Sequence, residues 1–283
     1  MKKGGRLGKF YGLRISWIYL VCAVLVILSI IPFWILIVNA TRSTEQIQQS
    51  FSLIPSVFTG YNYDVLTGRG FNIWRGFANS LTIAASSTFL ALYFSALTAY
   101  GLVIYDFKGK NTIFAIIAFI LMVPTQISMI GFYRMMLNLS LTDSYIPLIF
   151  PAIAAPATVF FLRQYLLSTF PKDLVSAARI DGASELGIFH RIALPILKPG
   201  LATMGIFAFV GSWNNFLMPL MLISNEDKYT LPMLVQSLKA DIYRTEFGGI
   251  YLGISMTIVP LLVIYLVFSR YIIAGVALGG IKE

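Results

Sequence analysis

His190 is the only histidine and Cys22 the only cysteine in this chain. A multi-histidine metal cluster, a thiolate metal site and a disulfide framework are therefore all out of reach. The phosphate-cradling string G-x-x-x-x-G-K-[ST] is absent, and the nearest approach, Gly5-Arg-Leu-Gly-Lys9, has the wrong spacing. What remains is non-covalent chemistry in two places. The first is Phe170–Gly200, where Lys172, Arg179, Arg191 and Lys198 stand against Asp173, Asp181 and Glu185, with small residues Ala177, Ala178, Gly182 and Ala183 between them. Small side chains let another backbone approach closely, so this stretch reads as a docking element. The second is a set of polar groups inside apolar runs: Thr125, Gln126 and Ser128 after Pro124, and Ser212, Asn214 and Asn215 around Trp213. These could line a path for a hydroxyl-rich solute, with Trp213 offering an apolar face to a sugar ring. The competing role for Asn and Gln is to join helices, at about 1 kcal/mol per pair.

The elements that must position these residues follow from composition. With 58% hydrophobic and 12% charged residues, the chain is far from a soluble balance. Six apolar runs stand out: 15–40, 76–105, 111–134, 145–167, 201–223 and 249–269. Each approaches or exceeds the roughly 20 residues that cross a bilayer. The first is too long for a signal-peptide core and is taken as a span. The expected fold is an all-α membrane protein with six transmembrane helices. Residues 41–75 read as an outer loop with little regular structure, and 224–248 as a further outer loop. Ser87, Ala91, Ser95 and Ala99 form a small-residue stripe suited to close helix packing.

Charge placement sets the orientation. With both termini inside, the whole net charge of +9 falls on the inner segments and the outer segments sum to zero. The pI near 9.6 thus reflects topology and does not call for nucleic acid. No run carries an ionisable side chain between its ends, so an ion-coupled carrier is disfavoured. Within the inner loop, Pro171 and Asp173 suit the start of a helix. Gly182 is expected to take the left-handed conformation that closes it. A second short helix is expected over 183–194, broken by Pro195 and Pro199.

Ala177-Ala178, Asp181-Gly182-Ala183, Phe189, Ile192 and Leu194-Pro195 resemble the coupling (EAA) motif of ABC importer permeases, of the carbohydrate class that includes the smaller maltose-importer permease. Ser176 stands where that family usually has Glu. Asn79-Ser80, Trp213-Asn214, Lys228-Tyr-Thr-Leu-Pro232 and the tail from Arg270 to Lys282 extend the resemblance over most of the chain. It implies a type I ABC importer permease fold with a cytoplasmic coupling helix. The implied layout is a cytoplasmic basic tail (1–14), a first span (15–40), an extracytoplasmic loop (41–75), a transport domain (76–270, with its coupling loop at 170–200) and a cytoplasmic tail (271–283). It also implies ATPase-coupling roles for Ser176, Ala177, Ala178, Asp181, Gly182, Ala183, Phe189, Leu194 and Pro195, and an ATPase-contacting tail at Gly279, Gly280 and Lys282. The implied translocation path is Gln126, Ser128, Trp213, Asn214 and Asn215. Implied partners are a second permease, an ATPase dimer that holds ATP and Mg, and an extracytoplasmic solute-binding protein. No cofactor is expected in this chain. The rival is a stand-alone channel or facilitator, which would have no use for a coupling motif.

Overall fold

The computed structural model describes residues 4–68, 72–237 and 246–280, with side chains over 17–68, 72–124, 126–237 and 246–267. Every described element is helical. Among the described residues, five stretches are long and apolar enough to cross a membrane: Trp17–Ala40, Ile73–Ile104, Ile146–Thr169, Glu185–Trp213 and Phe247–Val267. The chain divides into two compact units, Met1–Phe71 with Val235–Met256, and Asn72–Leu234 with Thr257–Glu283.

The first unit contains α1 (Gly4–Ala40), α2 (Thr44–Gln49) and α3 (Thr59–Gly68). Two helices thus occupy a region expected to lack regular structure. Ser43 and Gln46 start α2 with reciprocal side-chain-to-backbone bonds, a capping box that the Ser-x-x-Gln spacing encodes. Asn62 fixes α3, being buried and donating through Nδ2 to the carbonyls of Ala40 (2.8 Å) and Arg42 (3.0 Å). Gly248 is confined here: a Cβ would lie 2.3 Å from Asn62 Oδ1 and 2.4 Å from the Arg42 carbonyl.

The second unit is organised on α4 (Ile73–Ile104). Its predicted small-residue stripe, Ser87, Ala91, Ser95 and Ala99, is buried throughout. The run expected at 111–134 is instead two helices, α5 (Lys110–Ile120) and α6 (Thr125–Asn138). Pro124 causes the break: it lacks an N–H and drives the preceding residue out of the helical region, so the chain turns over Leu121–Pro124. The following stretch comprises α7 (Ile146–Ile149), a 3-10 turn (Phe150–Ile153) and α8 (Pro156–Thr169), with prolines opening each piece. Arg163 corrects the expectation of charge-free spans. It lies within α8, about 9 Å of helix from its end, and its guanidinium carbon sits 3.8 Å from the Phe114 ring centroid, a cation–π contact.

Next come α9 (Asp173–Ile180), α10 (Glu185–Ile188), a π turn (Phe189–Ala193) and α11 (Leu194–Trp213). Pro195 and Pro199 do not break this stretch, contrary to expectation. Leu194 N–H reaches back to the Phe189 carbonyl across the wider π turn, whose changed register accommodates Pro195 in the first turn of α11, and Pro199 lies inside the same helix. The helical run ends instead at Asn214, before α12 (Leu217–Leu222). A 3-10 turn (Glu226–Lys228), α13 (Leu231–Ser237) and α14 (Phe247–Gly280) complete the described chain. Ala96, Ala99, Tyr100 and Val103 of α4, with Leu162 and Leu166 of α8, share one buried cluster with Phe170, Val175, Ala178, Ile188, Phe189, Ala193 and Leu197.

Candidate functional site: a docking turn and a polar cleft

The exit of α9 is a Schellman motif. Gly182 has φ of +77°, its N–H donates to the Arg179 carbonyl (3.1 Å), and Ala183 N–H donates to the Ala178 carbonyl (2.9 Å). Ser184 then caps α10, its side chain accepting from Gly187 N–H at 3.2 Å. The expected left-handed glycine is thus in place, with two orphan carbonyls satisfied by the turn it makes. No neighbouring atom lies within 4 Å of where a Cβ would point at Gly182, so its constraint is conformational rather than one of space.

The motif residues separate into two faces. Ala178 and Phe189 are buried in the core, and Leu194 is half-buried. Ser176, Ala177, Asp181, Gly182, Ala183 and Pro195 are exposed. Beside them stand Ile180, 87% exposed, and Leu186, 64% exposed. Small residues flanked by two bare aliphatic side chains make a surface suited to close apolar docking. Sequence reasoning passed over Ile180 and Leu186, although their place beside the small residues was the available signal. Gly279 and Gly280 end α14, while Lys282 lies outside the described residues.

The polar candidates scatter more. Ser128 and Asn215 line one cleft of about 300 Å³ together with Phe132, Pro147, Leu148 and Met218. Gln126 is exposed but does not line it, and Asn214 caps α11 through its own N–H to the Val210 carbonyl. Trp213 does not offer a ring face to a solute. It is 1% exposed, lies stacked 5.6 Å from Phe209, meets Phe77 edge-on at 5.5 Å, and donates Nε1–H to the Thr257 carbonyl at 3.1 Å. Burial of a large aromatic whose N–H finds a partner makes it a packing anchor.

The N-terminal half of α4 carries contacts that spacing alone could not show. At its N-terminal end, Asn79 Nδ2 donates to the carbonyls of Asp227 (3.0 Å) and Tyr229 (2.9 Å), and Ser80 Oγ accepts from Leu231 N–H (2.8 Å). Arg75 pairs with Asp227. This joins two of the landmark strings, Asn79-Ser80 and Lys228–Pro232. Asp143 fastens the same segment, accepting through Oδ1 from Ser224 N–H (2.6 Å) and Asn225 N–H (2.8 Å). Those two bonds hold its carboxyl below the usual carboxylate range. Midway along α4, Ser87 Oγ donates to Ser212 Oγ of α11 at 2.9 Å.

Comparison with known proteins places this architecture. The family described as "Binding-protein-dependent transport system inner membrane component" matches residues 91–277. The chain is 39% identical over 272 residues to the arabinooligosaccharides transport system permease protein AraQ of Halalkalibacterium halodurans, covering 95% of this chain and 97% of that protein. To the AraQ protein of Bacillus subtilis it is 36% identical over 259 residues, covering 90% and 92%. A diacetylchitobiose uptake system permease of Streptomyces coelicolor is 30% identical over 256 residues, covering 89% and 84%. The fold matches a chain of a bacterial ABC transporter involved in import of the acidic polysaccharide alginate, with a TM-score of 0.80 at 21% identity, covering 96% of this chain and all of that one. The chain belongs to the family of inner-membrane components of binding-protein-dependent transport systems. It is a permease of the ABC importer type.

Proposed function

We propose that this permease, with a second permease subunit, forms the translocation path for an oligosaccharide, of the arabinose-containing kind named in its relatives, delivered by an extracytoplasmic solute-binding protein. The observation that carries the coupling part of this reading is the Schellman turn at Gly182, which presents Ser176, Ala177, Asp181 and Ala183 on an exposed face with Ile180 and Leu186. That face docks an ATPase dimer, in which ATP and Mg are held and hydrolysed; this chain performs no hydrolysis itself. Six spans cross the membrane, α5 and α6 together making the third. Both termini lie in the cytoplasm, in accord with the placement of the net positive charge. The transport domain covers 76–270, preceded by the basic tail (1–14), the first span (15–40) and the extracytoplasmic segment (41–75), and followed by the tail (271–283).

The cleft between Ser128 and Asn215 belongs to the path, with Gln126 and Asn214 near it. Sugar specificity is supported by the two AraQ relatives, each aligned over at least nine-tenths of this chain. Gentle solubilisation should recover the chain with an ATPase and a second permease, and cells carrying the system should take up radiolabelled arabinotriose in a manner abolished by its deletion. Recovery as a transport-competent homo-oligomer alone would overturn the importer reading. Unchanged uptake on deletion would overturn the sugar assignment.

A further inference from the structure

The turn that closes α9 is joined to the end of α4 by Tyr105 together with Arg179 and Glu185, which lie between the coupling-motif residues named above. Glu185, the first residue of α10, receives two hydrogen bonds from the Arg179 guanidinium, Nε to Oε1 at 2.7 Å and Nη2 to Oε2 at 3.2 Å. The Tyr105 hydroxyl donates to the same Oε2. The Arg179 guanidinium carbon lies 5.7 Å from the Tyr105 ring centroid. Tyr105 is itself the C-cap of α4, its N–H bonded to the Gly101 carbonyl, and its ring meets Tyr100 edge-on at 6.1 Å. Tyr100 packs in turn on Phe170 and Phe189. Three side chains from three elements thus meet across the bend at Gly182.

The placement of this contact gives it a mechanical meaning. The buried residues of α9 are Val175 and Ala178, so the helix rests on the core along a narrow line and could pivot about it. The contact lies beyond that line, toward the docking turn, and resists such a pivot. Bidentate guanidinium–carboxylate pairing adds geometric definition that a single point contact lacks.

We propose that Tyr105 is a positioning residue for coupling: through Glu185 and Arg179 it locks the α9 turn to the end of α4. A displacement of the turn then enters α4 and is not lost as rotation of the loop. From Tyr105 the same helix runs past the Ser87–Ser212 contact to the clamp at Asn79 and Ser80, so one rigid element connects the docking turn to the far end of the unit. The inference rests on the reading of the turn as an ATPase-docking element.

Spin labels at Thr98 on α4 and at Lys172 beside α9, in a Cys22→Ser background, read the separation of loop and helix in the assembled importer, both free of nucleotide and trapped with ATP and vanadate. In the otherwise unaltered chain the separation should be narrow and equal in both states. In Tyr105→Phe and in Glu185→Gln it should broaden and shift on trapping, with ATPase recovery unchanged. The double variant should broaden no further than either single one, because the residues act as a unit. A Tyr105→Phe distribution equal to that of the unaltered chain, or additive broadening in the double variant, overturns the proposal alone. Failure of the unaltered chain to recover with any ATPase overturns the docking reading beneath it, and the proposal with it.

Discussion

The two ends of α4 are held by different chemistry. At the N-terminal end, neutral side chains bond to backbone: Asn79 to two carbonyls and Ser80 to a buried N–H, with Ser80 and Leu231 nearly inaccessible. At the C-terminal end, ionised side chains bond to one another at a half-exposed surface, with Arg179 and Glu185 side chains 43% and 46% accessible. A buried side-chain-to-backbone bond is costly to break, because the stranded backbone group loses its only partner. An exposed ion pair contributes little to stability, because water replaces it readily. The first end is therefore fastened by contacts on which stability depends, whereas at the second the two-pronged Arg179–Glu185 pair with Tyr105 defines the position of the turn while adding little to stability.

The largest stability effect expected falls at the fastened end. Ser80→Ala strands the Leu231 N–H in a buried site, at a cost of about 1–3 kcal/mol, and should lower the thermal unfolding temperature in detergent. Glu185→Gln, by contrast, should leave that temperature unchanged; equal losses for the two variants would erase the distinction between the ends. Next comes Gly182→Leu. A left-handed conformation costs a non-glycine residue about 1 kcal/mol, and a branched side chain also obstructs the docking face. ATPase co-purification and transport should fall while membrane insertion is retained, and parental transport by this variant would show that the turn does not couple.

Acid offers a gentler probe of the fastened end. The Asp143 carboxyl is held below its ordinary range by the Asn225 and Ser224 N–H groups. A folded-state value below the unfolded one means that its stabilising contribution is fully present above the ordinary carboxylate value, about pH 4. That contribution is lost only as the pH falls through the lowered value. Hydrogen-exchange protection at Ser224 and Asn225, corrected for intrinsic rates, should persist down to that point; its loss already at pH 6 would mean another group governs the segment. The smallest effect should come from Asp181→Ala, which removes an exposed charge at the end of α9 but keeps the turn. ATPase association should drop less than with Gly182→Leu, and a larger drop would assign the docking strength to charge instead of backbone shape.

Local patterns in the chain were legible where the cause was local. The Schellman turn was, because only a glycine relieves the left-handed strain at that position and Asp-Gly-Ala follows a helix-forming run. So was the buried stripe of α4, because small residues four apart necessarily share one face. Pro124 was not legible from composition, since apolar content alone carries the run through it, although its missing N–H is sufficient cause for the break. Pro195 is the opposite case: a single wider turn at Phe189–Ala193 accommodates it, and no residue type announces a π turn.

What the sequence determined by itself was the membrane-spanning class, the left-handed turn at Gly182 and the resemblance that the comparisons support, because each rests on composition or on neighbours within a few residues. Only the tertiary structure decided which side chains separated in sequence would meet. Tyr105 and Glu185 are 80 residues apart, Asn79 and Tyr229 are 150 apart, and no periodicity encodes either contact. The same holds for Trp213, whose type suits a sugar platform as well as a core anchor. The choice was made by Phe77, Phe209 and the Thr257 carbonyl, which enclose the ring and take its one donor.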